Sequence, residues 1–347
     1  MPREIPAARR SGPSAISAEP SARSLVIPTR NAGARFRQVL ERLKRQELDG
    51  PVELIVIDSE SDDGTPELAA QAGARVERVQ RAHFNHGATR NRAIELSSGE
   101  RIALLVQDAL PAADDYLARI FGALDDARVD GAWARQVPRP DCDPIMAERL
   151  RHWFGCRSEG CLSALAPGDP EAARAKWSPM SAPERFAACA FDNVASCLRR
   201  SSWEKHPFPE REFGEDVAWA REVLLDGGTI AFHPAACVEH SHRIRIAGEF
   251  RRIYADHRNL SELFGLRTVR SWGEVLRGWL GQRRHYAQVL TAARLGFWSR
   301  LGWNLYAFPY SLAETTAQFL GARSPWKADS GGLPGAFWRG IDRRLRD

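Results

Sequence analysis

The sequence predicts an α/β fold, with a doubly wound, mostly parallel sheet followed by a helical C-terminal extension. Two apolar, β-branched runs, SLVIPT at 24–29 and PVELIVIDS at 51–59, have the continuous apolar character of buried parallel strands. Between them, RFRQVLERLKRQ at 35–46 carries apolar residues at helical spacing. Strands that alternate with helices in this way form βαβ units and a parallel sheet.

The alternation continues along most of the chain. It predicts further strands at 74–79, 101–108 and 131–137, with helices at 65–73, 87–99 and 114–126. The pattern weakens from 138 to 183, where only MAERLRHWF (146–154) predicts a helix. It returns with EDVAWAREVLLDGG (215–228), a helix with a glycine stop, and TIAFHPAACVEHSH (229–242), a strand, a turn and a second strand.

Composition divides the 347 residues into three parts. Residues 1–22 are rich in Pro, Ser, Ala and Arg and lack the apolar core of a signal peptide, so we predict a disordered leader. Residues 23–250 hold the α/β pattern, and residues 251–347 are predicted to be a helical extension. No run of about 18 uninterrupted apolar residues occurs, so we expect a cytoplasmic protein without a transmembrane helix.

Charge and cysteine usage narrow the class of protein. The formal net charge is +5, and Lys and Arg are spread among acids, which predicts a solvated mixed surface and no nucleic-acid partner. The six cysteines contain no CxxC pair, so we expect reduced thiols rather than a zinc ribbon or a disulfide framework.

Three polar residues end predicted strands: Thr29, Asp58 and Asp108. Ligands of doubly wound sheets bind beyond the carboxyl ends of the strands, so these residues are candidates for binding. His240 and His242 follow the last predicted strand, and their HxH spacing places both imidazoles on one side if the strand continues. With Asp108 they offer oxygen and nitrogen ligands to a divalent cation.

Four blocks, in order and within residues 24–242, resemble family 2 glycosyltransferases, which have the GT-A fold: SLVIPTRNAG, LIVIDSESDDGT, FNHGATRNRAIELSSGERIALLVQDALP and FGEDVAWAREVLLDGGTIAFHPAACVEHSH. The segments FNHGATRN, QDALP, ARQVPRPDCDP and FPEREFGEDVAWA look like the bacterial rhamnosyltransferase-type subgroup. The resemblance implies inverting transfer of a sugar from a nucleotide diphosphate sugar, with dTDP-rhamnose as a candidate donor. The acceptor would be a hydroxyl of a cell-surface glycan or of a lipid-linked molecule.

The resemblance also implies roles on the donor side. It places Asp58 at the nucleotide base and Arg90 and Asn91 at the diphosphate, with further donor contacts from Pro28, Thr29, Asn31 and Gln107. VQDA stands where the family has DxD, with Val106 in the first carboxylate position. Asp108 is therefore left to bind Mg²⁺ or Mn²⁺ with help from His240 or His242. For Asp58 alone, a turn aspartate is the competing interpretation, and for Arg90 it is a surface ion pair.

On the acceptor side, the resemblance makes Asp216 the general base and Glu215 a hydrogen-bonding partner of the acceptor. Trp219 would stack on a sugar face, and Arg135 would form part of a sugar-binding wall. The competing interpretations are acids that cap the first turn of a helix, and a Trp that packs in the core.

Two other functions compete with sugar transfer. A nucleotidyltransferase would carry a Gly-rich phosphate loop with a Lys near the first strand, which PTRNAG lacks. A degenerate nucleotide-sugar-binding or scaffold protein of a glycan assembly system is supported only by the missing first carboxylate of DxD.

The C-terminal segment 271–320 mixes Trp, Leu and Arg at helical spacings. Such helices lie flat in a membrane interface, here at the inner face of the plasma membrane, or pack on the α/β domain or on a second copy as a homodimer. The sequence leaves these alternatives open.

Overall fold

One sheet of ten strands forms the centre of the part of the chain that the computed structural model describes, residues 16–155, 159–211, 213–243, 245–328 and 340. The predicted α/β class is confirmed. The strands are β1 (Ile16–Ser17), β2 (Arg23–Thr29), β3 (Val52–Asp58), β4 (Arg75–Arg78), β5 (Arg101–Leu105), β6 (Leu110–Pro111), β7 (Gly131–Val137), β8 (Cys161–Ala164), β9 (Ala195–Arg199) and β10 (Thr229–Glu239).

The main strands of the sheet point the same way. Their order is β1-β3-β2-β5-β9-β7-β10-β6, with β4 beside β3 and β8 beside β10. Strand β9 runs antiparallel to both β5 and β7, so those two are parallel to each other. The carboxyl ends of β2, β3, β5, β7 and β10 therefore meet at one edge of the sheet, together with the beginning of β9. This edge is where the α/β architecture places a ligand.

The structure corrects two predictions about strands. The segment 229–242 is one strand up to Glu239 rather than two, and a register shift between His233 and Cys237 replaces the predicted turn. The end of the predicted disordered leader is ordered, because Ile16 is buried in the core and β1 pairs with the start of β3. Residues 1–15 lie outside the described residues.

The helices of the described residues are α1 (Gly33–Lys44), α2 (Thr65–Gln71), α3 (His86–Leu96), α4 (Tyr116–Gly122), α5 (Pro144–Gly155), α6 (Pro170–Trp177), α7 (Ala182–Ala188), α8 (Arg200–Lys205), α9 (Glu215–Leu225), α10 (Ile246–Phe264), α11 (Trp272–Ala292) and α12 (Phe297–Ala328). The described part of the stretch 138–183, where the sequence pattern weakens, thus holds α5, β8, α6 and the start of α7. Helices α1 and α4 contribute Phe36 and Phe121 to the core on one face of the sheet. Helices α3 and α9 contribute Ile94 and Val223 to the core on the other face, which makes the sheet doubly wound.

The three C-terminal helices form the predicted extension, but its first helix is shared with the α/β domain. The boundary that we placed after residue 250 lies inside α10, and Leu260 and Phe264 of this helix belong to the second core of the sheet. None of the helices in the described ranges is long and apolar enough to cross a membrane. The five cysteines in these ranges are free thiols.

Candidate active site

The carboxyl edge of the sheet collects most of the predicted site residues. Thr29 and Asp58 end β2 and β3, Asp108 lies just beyond β5, and His240 directly follows β10. Asp192 precedes β9, and the antiparallel direction of that strand brings this acid to the same edge.

Asp58 is fully buried, and its carboxylate accepts three hydrogen bonds. Thr29 Oγ1 and Ser61 Oγ donate to Oδ1 at 3.0 and 2.5 Å, and Ser61 N donates to Oδ2 at 2.9 Å. These bonds fold the turn after β3, as the turn-aspartate interpretation expects. The contact of Asp58 with a nucleotide base stays a prediction, because the carboxylate is 0% exposed and a base would reach it only if the turn moved.

Two amide side chains fix the loops around this turn. Gln107 Oε1 accepts from Arg30 N at 2.7 Å, and Gln107 Nε2 donates to Arg30 O at 3.1 Å. Asn31 has a φ of 43°, and its Oδ1 accepts from Asp62 N at 3.0 Å. Pro28 lies beyond the end of the β2–β5 pairing, so its missing N–H costs no hydrogen bond to β5. These predicted donor-side residues are therefore gathered around one cleft edge.

Asp108, His240 and His242 come together as a candidate metal site. Their ligand atoms all lie within 4.8 Å of one another. His240 Nε2 is 3.5 Å from Asp108 Oδ1, and His242 Nδ1 is 3.8 Å from Asp108 Oδ2. Burial by itself would raise the pKa of Asp108, but the hydrogen bond from His240 and the charges of both histidines lower that pKa to about 2. An ionised carboxylate beside two imidazoles is a donor set that fits a divalent cation.

Gln136, which the sequence analysis missed, orients His240. Its Oε1 can only accept and lies 2.8 Å from His240 Nδ1, so Nδ1 carries a proton. Nε2 faces Asp108 and is the nitrogen that a cation would bind after that nitrogen loses its proton. Gln136 Nε2 in turn donates to Asp192 Oδ2, and Asp192 Oδ1 accepts from Val194 N at 2.8 Å. Support of this kind behind a ligating histidine fixes both its tautomer and its ring orientation.

Asp216 is the second residue of α9 and lies next to Asn193. Val217 N donates to Asp216 Oδ1 at 2.8 Å, and Asn193 N donates to Oδ2 at 3.3 Å. Burial raises the pKa of Asp216 well above its ordinary value, and the neighbouring carboxylates Glu215 and Asp192 raise it further. The residue as a whole is not completely buried, because part of its surface remains accessible to solvent. A carboxylate with a raised pKa on a partly accessible residue is a suitable general base.

Glu215 and Arg90 form a buried ion pair rather than facing a ligand. Arg90 Nη1 donates to Glu215 Oε1 at 2.6 Å, and the two side chains are only 5% and 7% exposed. Asn193 Nδ2 also donates to Glu215 Oε1, at 3.3 Å. This contact joins the start of α9 to α3, so both residues hold Asp216 in place. The predicted surface ion pair of Arg90 is wrong, because the pair is buried.

Two predicted residues are used elsewhere in the fold. Asn91 Nδ2 donates to Phe208 O at 2.8 Å, and its Oδ1 accepts from Trp203 Nε1 at 2.9 Å and from Phe208 N at 3.0 Å. Trp219 is completely buried and packs against Phe191 and Phe208. Trp219 therefore cannot stack on a sugar, and the core interpretation is correct. Both the oxygen and the nitrogen of the Asn91 amide are used in these contacts, so the structure does not support Asn91 as a diphosphate contact.

Arg135 lies on β7 directly before Gln136. Neighbouring side chains on a strand point to opposite faces, so Arg135 points away from the side of β7 on which Gln136 contacts Asp192 and His240. Its partner across the strand pair is Cys237. The structure thus does not bring Arg135 to the candidate site. Side chains alternate between the two faces along GAWARQV, so only one of the neighbours Arg135 and Gln136 can face the histidines. That alternation is the sequence feature from which Gln136 could have been predicted.

Comparison with known proteins places this site in a family. The family described as "Glycosyl transferase family 2" matches residues 24–189. The O-antigen chain rhamnosyltransferase RfbN of Salmonella typhimurium is 32% identical over 235 residues, which cover 67% of this chain and 70% of RfbN. The O-antigen chain rhamnosyltransferase WbaN of Salmonella anatum is 28% identical over the same shares of the two chains.

Among solved structures, the mannosyltransferase PcManGT from Pyrobaculum calidifontis, in complex with GDP-Man and Mn²⁺, covers 96% of this chain and 84% of its own. It is 20% identical at a TM-score of 0.48, which is too low to support conclusions about ligands of this chain. The identity to RfbN, extending over more than two thirds of that relative, together with the family match, shows the family. The chain belongs to glycosyltransferase family 2, and its sheet is of the GT-A type that the sequence blocks implied.

Proposed function

We propose that this protein is an inverting glycosyltransferase that transfers rhamnose from a nucleoside diphosphate donor to a hydroxyl of a cell-surface glycan or lipid-linked acceptor. The observation that carries the proposal is the convergence of Asp108, His240 and His242 at the sheet edge where Asp216 lies in the first turn of α9. The names of the two Salmonella relatives support rhamnose as the sugar.

The donor nucleoside would lie over the carboxyl ends of β2 and β3. Asp58 Oδ2 would supply the acceptor for a base N–H once the turn after β3 moves, and Thr29 and Ser61 orient that carboxylate. The loops fixed by Gln107 and Asn31 border the same edge. An acceptor of this kind selects a base that presents an N–H toward Asp58.

Asp108, His240 and His242 would hold Mg²⁺ or Mn²⁺, which would neutralise the donor diphosphate and stabilise it as the leaving group. Two of the three donors are imidazole nitrogens, which suit transition metals better than the hard, oxygen-seeking Mg²⁺ ion. We therefore expect Mn²⁺ to be the better of the two ions.

Transfer follows from this arrangement. The acceptor oxygen bonds to the anomeric carbon from the face opposite the diphosphate, and the bond from that carbon to the phosphate oxygen breaks. The hydroxyl proton passes to the Asp216 carboxylate, and the nucleoside diphosphate leaves. Arg90 and Glu215 act by positioning Asp216, because their buried pair fixes the start of α9.

The test is release of nucleoside diphosphate from dTDP-rhamnose and other nucleotide sugars by the full chain, with Mn²⁺, with Mg²⁺ and with chelator. We expect release with Mn²⁺ that disappears in chelator and in Asp108→Asn. Asp126→Asn is the matched control, since Asp126 lies near the amino end of β7 and pairs with Arg128. A chain that binds nucleotide sugars, seen as thermal stabilisation, but neither releases nucleotide nor transfers sugar would instead be the degenerate binding protein.

A further inference from the structure

A continuous apolar surface covers one side of the α11–α12 helical hairpin. We call it the hairpin face and define it by nine exposed side chains: Trp272, Leu276, Leu280, Phe297, Trp298, Leu301, Leu305, Phe308 and Leu312. Their exposures run from 41% to 79%. Elsewhere in the described residues, only Phe84 and Leu162 are large hydrophobics with comparable exposure. The apolar surface is therefore concentrated rather than scattered, as in a surface built for interaction.

Helical spacing places these side chains on one side of each helix. On α12 they recur at intervals of three and four residues from Trp298 to Leu312, a length of about 21 Å at 1.5 Å per residue, with Phe297 directly before them. The opposite side of α12 is buried through Ala307 and Tyr310. The two helices are joined through Trp279, whose ring meets the Phe308 ring edge-on and whose Nε1 donates to Phe308 O, so the exposed residues of both helices form one surface.

The part of the sequence that carries this face is strongly positive. Between residues 265 and 312 the chain has seven arginines and a single acid, Glu274. The whole protein has a formal net charge of only +5, so this segment accounts for all of its excess positive charge. Arg277, Arg284 and Arg294 are exposed on or next to the hairpin. An apolar face bordered by arginine matches the boundary of an anionic bilayer, where apolar groups enter the acyl region and arginines meet phosphate.

A second copy of the chain fits this surface less well. A two-fold dimer brings the same patch of both subunits together, so the arginines of one copy would face those of the other. Like charges at an interface oppose association, whereas anionic lipid offsets them. The exposed Trp272 and Trp298 also suit the headgroup region, where Trp is enriched.

The hairpin lies beside the candidate active site. Trp303 and Tyr306 on the inner side of α12 pack against the same apolar cluster as Cys142 and Ile246, which lie shortly after the ends of β7 and β10. The same helix thus contacts the segments that lead away from Gln136 and His242 and exposes the hairpin face on its other side. We propose that the hairpin face docks the protein on an anionic phospholipid surface, with the active-site edge held close to that surface.

The experiment is cosedimentation of the full chain with vesicles of phosphatidylcholine alone and of phosphatidylcholine with about 30% phosphatidylglycerol, a content at which each bound arginine contributes appreciably. We expect binding to the anionic vesicles that weakens strongly between low and high salt, and little binding to neutral vesicles. Leu301→Gln with Leu305→Gln should lower the partition coefficient at least tenfold. Leu162→Gln is the matched control, because Leu162 is equally apolar and 54% exposed but lies on β8.

A second set of variants tests the charge. Removing Arg277, Arg284 and Arg294 as Gln substitutions should lower binding to anionic vesicles by about 100-fold, since each basic residue near the surface contributes roughly fivefold. Removing three exposed charges on and just after α1, through Arg37→Gln, Lys44→Gln and Arg45→Gln, should have little effect. Circular dichroism of each variant separates lost binding from lost folding.

Docking does not depend on the proposed reaction, so its test is independent. The proposal is overturned if the full chain ignores anionic vesicles, or if the Leu301 and Leu305 variants bind as the Leu162 control does. It is also overturned if the full chain is a dimer in solution that these same variants dissociate, because a second copy then covers the face. Nucleoside diphosphate release in solution should be unchanged in every hairpin variant.

Discussion

Asp216 is the residue on which the proposed chemistry depends most directly. In the proposed mechanism its carboxylate receives the acceptor proton, so Asp216→Asn should lower transfer by about 10²- to 10⁴-fold, the usual contribution of a general base. Donor binding, measured by Mn²⁺-dependent thermal stabilisation with the nucleotide sugar, should be retained. Asp192→Asn is an informative comparison, because Asp192 acts through Gln136 and should affect metal binding first. Near-normal turnover of Asp216→Asn would exclude the assignment.

The environment of Asp216 also predicts a pH dependence. Burial and the charges of Glu215 and Asp192 raise its pKa, so the protonated, inactive form persists to higher pH than for an ordinary aspartate near 3.9. Activity should therefore rise with pH through this raised pKa and be lost on the acid side of it. In Glu215→Gln the removal of one negative neighbour should move the acid limb of kcat/KM to lower pH. An acid limb that stays in place would contradict this electrostatic account.

The contact between Gln136 and His240 leads to a prediction about the Mn²⁺ affinity of the candidate metal site. Gln136→Leu removes the partner of His240 Nδ1 and should weaken Mn²⁺ affinity by about 10- to 100-fold, as loss of such support does in other metal sites. Activity should recover at high Mn²⁺, whereas that of Asp108→Asn should not. Arg135→Gln is the neighbouring control and should leave Mn²⁺ affinity unchanged. Equal Mn²⁺ titrations for Gln136→Leu and the unchanged chain would show that the tautomer is fixed by other means.

Sequence reasoning located the residues that end strands and missed those that depend on packing. Thr29, Asp58 and Asp108 were predictable because the carboxyl ends of parallel strands share one edge. Asp192 was not, because its position depends on β9 running antiparallel between β5 and β7, and nothing local in the sequence gives the direction of a strand. The sugar-stacking prediction for Trp219 is wrong because an aromatic residue one turn after Asp216 has the same spacing whether it faces the core or a ligand.

At the scale of elements, Gly214 controls where α9 begins. It has a φ of 72°, and the Cβ that it lacks would overlap the Asn259 amide on α10. Gly64 makes a matched control, because it precedes α2 with a φ of 82° and has open space where a Cβ would stand. Both Ala substitutions carry the left-handed strain of about 1–2 kcal/mol.

Gly214→Ala should therefore destabilise the chain more than Gly64→Ala does, and should also reduce transfer, because Glu215 and Asp216 follow it directly. Urea unfolding and kcat of the two variants provide the measurement. Equal losses of stability in both variants would mean that Asn259 moves aside without cost, and that the close approach of α9 and α10 does not position the site.

At the scale of the whole molecule, the C-terminal helices are joined to the catalytic layer through buried polar contacts. Arg149 on α5 donates to Glu249 Oε2 at 2.8 Å and to the Tyr310 hydroxyl at 2.6 Å, which links α5 to α10 and α12. Tyr286 of α11 donates to Glu314 at 2.8 Å. The sequence predicted helices here but not the partners of Arg149, because Glu249 and Tyr310 lie 100 and 161 residues further along the chain. The extension is therefore tied to the α/β domain on its inner side while the hairpin face remains exposed.

This arrangement predicts that a chain ending at residue 250 does not fold, although the sequence pattern placed a boundary there. Such a chain loses Leu260 and Phe264 from the second core, and Phe264 packs against Trp177 and Phe186. Removal of each large core side chain costs about 2–5 kcal/mol, against a total stability of about 5–15 kcal/mol for a typical domain. We expect aggregation and loss of nucleotide-sugar binding.

The full chain offers a graded version of the same test. Phe264→Ala should lower the free energy of unfolding by about 3–5 kcal/mol, whereas Leu162→Ala, at an exposed site, should change it by about 0.5 kcal/mol or less. If the chain ending at residue 250 stays monomeric, unfolds cooperatively and is stabilised by nucleotide sugar with Mn²⁺, then α10 is dispensable. The α/β domain would in that case end where the sequence suggested, and the hairpin would be an independent attachment rather than part of one folded unit.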